Sequence, residues 1–90
     1  MKNTSVTRMD DSIQVYKHHI IVPRKVVTTY RDHSGYEKTL DAYTATMIND
    51  HPIESDMVWS LDENFRTFEG TMTIAKFSID LHIAKLEQFI

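Results

Sequence analysis

The chain has 90 residues, no cysteine, two glycines and a formal charge of -3, with 41% hydrophobic and 26% charged residues. Without cysteine there is no disulfide, no thiolate catalysis and no cysteine zinc site, and Gly35 and Gly70 alone cannot build a glycine-rich phosphate loop. A domain of this size buries only a little over ~60% of its surface on folding, so a partner or a second copy matters energetically.

Residues 1–11 are polar and aperiodic, which predicts a flexible tail ahead of one small domain over 12–90. This N-terminus has no apolar centre of the kind a signal peptide needs, and no apolar run reaches the ~20 residues of a membrane span, so a cytoplasmic location without membrane contact is expected. From Ser12 to Tyr30 the chain is rich in Ile, Val, Thr and Tyr, interrupted by Pro23. Proline presets the second position of a turn, so Val22 to Lys25 reads as the reversal of an N-terminal β-hairpin.

Asp32-His33-Ser34-Gly35 is a clear break. After it, Ser34 and Glu37 fit a capping box, and Tyr36, Leu40, Tyr43 and Met47 fall at helical spacing before Asn49 to Pro52 stops the run, which favours a helix. The competing reading takes 36–43 as a strand hairpinned back onto 26–31, supported by its threonines and tyrosines. Met57-Val58-Trp59 is an optional further strand. Ser60 to Glu63 offers a second capping box, with Leu61, Phe65 and Phe68 on one face and Gly70 as the closing residue, and so predicts another helix.

Residues 71–90 are the most apolar stretch. As a helix they place Met72, Ala75, Ile79, Ile83, Leu86 and Ile90 on one stripe and Ile74, Phe77, Leu81 and Ala84 on a second; as a strand, residues 73–83 alternate. The preferred reading splits the run near Ser78, with a terminal helix over 79–90. The expected fold is therefore α+β: an N-terminal β-hairpin packed against two or three helices, ending in an apolar C-terminal helix.

No chemistry-bearing constellation emerges. Asp32, His33 and Ser34 are adjacent in a turn and cannot line up as a hydrolase triad. His18 and His19, as strand neighbours, point to opposite faces, and no histidine pair has helical zinc spacing, so neither a metal nor a cofactor is expected. Residues Glu69 to Phe77 resemble the second helix of helix-turn-helix domains, with Ile74-Ala75 beneath a recognition helix that Asp80 would cap and that would carry His82, Lys85 and Gln88. The resemblance covers about twenty residues within 60–90 and implies a small DNA-binding transcriptional regulator. Against it stand a turn one residue short and a balance of Lys76 and Lys85 by Asp80 and Glu87, because DNA affinity leans on phosphate neutralisation.

Charge is uneven along the chain. Ser12 to Arg31 holds Lys17, Arg24, Lys25 and Arg31 with no acid, whereas Glu37 to Glu69 is strongly acidic, offset only by Lys38 and Arg66. The expected function is non-catalytic: a small inhibitor, adaptor or assembly subunit binding a protein, a basic one being complementary to the acidic stretch, through Glu54, Asp56, Trp59 and Asp62. A homodimer is expected through Phe77, Leu81, Ala84 and Phe89, the stripe that a domain this small lacks the material to cover.

Overall fold

The structure, a computed structural model, describes residues 3–49 and 58–87. Those residues form a curled antiparallel sheet with one α-helix. The strands are β1 (Asn3–Arg8), β2 (Gln14–Tyr16), β3 (His19–Arg31), β4 (Glu37–Asn49) and β5 (Val58–Ser60), followed by the helix α1 (Phe68–Glu87). The expected hairpin against two or three helices is thus corrected: the sheet has 5 strands in the order β1-β3-β4-β5, with β2 also on β3.

The longest ladder explains most of the difference. β3 and β4 pair in unbroken register from His19↔Asn49 to Arg31↔Glu37. The segment 36–48, expected as a helix, therefore lies almost wholly in the strand Glu37–Asn49. Ser34 does not cap anything: the Asp32 carboxylate accepts from the amides of Ser34 at 2.9 Å and Tyr36 at 3.0 Å, and Gly35 takes φ 82°, which closes a hairpin loop instead. The threonines and tyrosines of the segment fit a pleated surface better than a helix.

Pro23 lies inside β3, opposite Ala45, and not in a turn. Its carbonyl accepts from the Met9 amide at 2.9 Å, so its nitrogen faces the same edge, where the 3-10 turn Asp10–Ser12 separates β1 from β2. The missing N–H falls at the one place along that edge where no strand asks for it. The true reversal is the two-residue loop Lys17-His18, with φ 48° and 64°, between the paired Tyr16 and His19. Both signs match the type I′ turn that suits the twist of a hairpin. Residues 3–8, expected in the tail, pair with β3 from Asn3↔Thr29 to Arg8↔Arg24.

The helix expected over Ser60–Gly70 does not form either. Phe65 exchanges both backbone bonds with Tyr43 at 2.7 Å, and Leu61 donates to Ala45 at 3.0 Å, so this stretch satisfies the outer edge of β4. Helix α1 begins only at Phe68. Thr67 caps it, its hydroxyl accepting from the Gly70 amide at 3.0 Å, which puts Gly70 in the first turn and not at a helix end. From there the helix is continuous through Ser78 and Ile79, so the expected split is not seen and the turn of a helix-turn-helix unit is not formed.

One face of α1 closes the core. Met72, Ala75 and Ile79 are buried against Ile21, Ala45 and Met47, with Tyr16, Trp59, Leu61, Phe68 and Ile83 packed around them. The strand residues in that cluster stand at alternate positions of one face, in register as Ile21↔Met47 and Pro23↔Ala45. Thr71 is also fully buried, its hydroxyl donating to the Thr67 carbonyl at 2.8 Å. No helix among the described residues is long and apolar enough to cross a membrane.

Candidate interaction surfaces

Three features stand out beyond the core, each built by the elements just described. The first is the β2–β3 turn against the helix. Lys17 donates to the Asp80 carboxylate at 2.7 Å, and the Tyr16 hydroxyl donates to both of its oxygens at 3.0 and 3.1 Å. The hydrogen bond from Lys17 holds the Asp80 carboxyl below its ordinary value, and the same bond raises the Lys17 ammonium. The left-handed turn is what brings Lys17 over the helix.

Behind this turn lies a cluster of three rings. His19 meets His82 at 5.9 Å and Trp59 at 5.7 Å, edge to face, while Trp59 lies tilted on His82 at 4.8 Å. His19 Nδ1 donates to the Lys17 carbonyl at 2.8 Å, an assignment forced by the carbonyl being an acceptor only. The Nε2 atoms of His19 and His82 are buried and have no hydrogen-bond partner among the described residues. No group of three metal-ligating side chains forms among those residues.

The second feature is the outer stripe of α1. Ile74, Phe77 and Leu81 are exposed, Phe77 at 59% and Leu81 at 47%, and Ala84 continues the line one turn on. This is the stripe expected to mediate self-association. Phe89, its expected last member, lies outside the described residues.

The third is the sheet face turned away from α1. On strict alternation, the even positions of β1, β3 and β4 share this face with Val15 of β2 and with Val58 and Ser60 of β5. Val22, Val26 and Thr46 are buried on it, while Val6, Val15, Leu40 and Val58 are exposed. None of these positions carries an acid, whereas Arg8, Arg24 and Lys38 all stand there. The acids Glu37 and Asp41 of β4 fall on the helix side, Asp41 with Lys25 at 3.7 Å. The outer face is therefore basic, whereas the helix side is mixed, with Lys25 and Arg31 beside Glu37 and Asp41.

Of the residues expected to bind a partner, only Trp59 and Asp62 fall within the described structure. Glu54 and Asp56 lie outside the described residues. Asp62 is exposed in the connection before α1. Trp59, expected on the surface, is half-buried in the ring cluster, its indole N–H donating to the Ser78 hydroxyl at 2.9 Å. Sequence reasoning passed over Arg8 and Arg24 as a pair, because their adjacency exists only through the β1–β3 register; the run from Ile20 to Tyr30 has no period-two alternation that could have signalled it.

No protein-family model, curated protein or solved structure matches this chain.

Proposed function

We propose that the protein is a non-catalytic binding module acting through protein–protein contacts, and that it pairs with a second copy through the outer stripe of α1. The observation that carries this reading is the exposure of Phe77 and Leu81 on a helix whose opposite face already closes the core. Fully exposing a Leu or a Phe forgoes about 1.5 to 3 kcal/mol, so these two half-exposed side chains forgo roughly half of that each, which a two-fold pairing of identical stripes recovers. The spacing of Ile74, Phe77, Leu81 and Ala84, three and four residues apart, is that of a seam between two helices.

Molar mass by light scattering at micromolar concentration tests it. Wild type is expected to be dimeric and Phe77→Asp monomeric, with the fold of the variant changed by no more than about 0.5 kcal/mol, as for a surface substitution. Ile79→Ala, on the core side, is expected instead to cost about 2 to 4 kcal/mol without changing the association of the folded chain. A wild-type monomer, or a Phe77→Asp variant that unfolds while keeping its mass, overturns the reading.

A further inference from the structure

The geometry points to a second docking surface: the free outer edge of β1, with the acid-free face beside it, takes an acidic extended segment of another protein, which adds to the sheet as a further strand. This rests on the reading of the chain as a protein-binding module but not on its self-association.

The edge is open. All residues of β1 are exposed, its inner side pairs with β3 through the whole of Asn3–Arg8, and no described strand lies on its outer side. A row of unpaired backbone N–H and C=O groups templates strand addition, and proteins usually guard such edges with proline, lysine or a bulge. NTSVTR has no proline, lysine or bulge along its six-residue register, and its one charge, Arg8, stands at the end. Strand addition draws its affinity from main-chain bonds and its specificity from alternate side chains.

Those alternate side chains select the sign of the partner. Arg8 stands directly opposite Arg24 across the β1–β3 ladder. Like charges in that relation are unfavourable without a counter-charge. Arg8 is held by Asp10 in an exposed ion pair, of a kind worth little and readily exchanged. Arg24 is half-buried between Val22 and Val26 of the same face and has no acidic partner among the described residues. A carboxylate on an added strand, beside Arg8, supplies what this pair lacks. Val6, on the same face at 57% exposure, offers the apolar neighbour for the next alternate residue.

Other occupants fit less well. A second copy paired edge to edge through β1 would bring no carboxylate, because Asn3 to Arg8 contains none. Single-stranded nucleic acid draws on aromatic stacking and a basic groove. This face has Tyr30 as its one described aromatic residue, and the whole chain is at -3.

The test titrates the isotope-labelled full chain with two synthetic octapeptides, one alternating Glu and Val and the other Lys and Val. The expected result is that the Glu–Val peptide shifts the amides of β1 and the Val6 methyls, binding at least about tenfold more tightly than the Lys–Val peptide and weakening as salt rises. Arg24→Glu should reverse that preference, and Arg24→Gln, which keeps the aliphatic stem should charge reversal impair folding, should abolish it. Equal binding of both peptides, or shifts confined to the α1 stripe, overturns the inference while leaving a protein-binding module in place. So does binding of an oligothymidylate to the same face in preference to the Glu–Val peptide. If neither peptide binds and the chain is monomeric, this inference and the proposed function both fall; if neither binds and the chain is still a dimer that Phe77→Asp dissociates, only this inference falls.

Discussion

Lys17 and His18 occupy left-handed backbone where glycine or asparagine is the usual choice, and a side chain at such a position costs about 1 kcal/mol. Lys17 recovers part of that cost by reaching Asp80; His18, exposed, makes no such contact. His18→Gly is therefore expected to stabilise the fold by about 0.5 to 1 kcal/mol in a denaturant titration. The Lys17–Asp80 pair also sets a pH window. The lowered Asp80 carboxyl contributes stability that is present above its unfolded value of 3.8 and is lost as pH falls through the lower folded value. The raised Lys17 ammonium contributes below 10.5 and loses its share as pH rises through the higher folded value. Both side chains are about half exposed, so the effect is small. In thermal melts, Asp80→Asn is expected to lower stability slightly over the neutral range, where the pair is intact, and so to flatten the loss below pH 4 or so.

At the scale of elements, the start of α1 depends on one hydroxyl. Thr67→Ala removes the cap and is expected to cost about 1 kcal/mol. Gly70→Ala tests the same point from the other side. Alanine is the better helix former by about 1 kcal/mol, yet a Cβ at position 70 would stand 2.8 Å from the Thr67 hydroxyl oxygen. The expected outcome is no net gain from Gly70→Ala alone, and a gain on the Thr67→Ala background, where the obstruction is gone. Measured unfolding free energies of the two single variants and the double variant form the cycle that checks it.

For the molecule as a whole, the sheet outruns its helix. The radius of gyration is 16.0 Å and the extents are 58 × 24 × 21 Å. A compact chain of this length would have a radius near 12 Å. The excess lies in the far end of the β3–β4 ladder, where Glu37 to Asp41 are all exposed and the core cluster has no member. Native-state hydrogen exchange is expected to show the paired amides of 28–40 opening at lower free energy than those around Ile21 and Met47, which alone should approach the global value. Uniform protection along the ladder would show that something covers the arm in solution.

Local pattern was enough for some of this. The β-rich run from Ser12 to Tyr30 does form strands, and the spacing of Met72, Ala75, Ile79 and Ile83 does mark the buried side of a helix, leaving Ile74, Phe77 and Leu81 outside. Periodicity over one element is a property of the chain itself, so it can be read without knowing what the element meets. The segment Glu37–Asn49 could not be resolved that way: a plausible cap and a helical spacing at Leu40, Tyr43 and Met47 competed with β-forming side chains, and a thirteen-residue ladder with β3 decided the matter. Phe65 likewise left a well-signalled helix to bridge Tyr43, because the open edge of β4 offered its backbone two bonds. The meeting of Arg8 with Arg24, of Tyr16 and Lys17 with Asp80, and of His19 with His82 joins residues far apart in sequence. Only the register of the sheet and the docking of the helix bring them within reach, since the energy that fixes both comes from non-local burial and pairing that no single window of sequence contains.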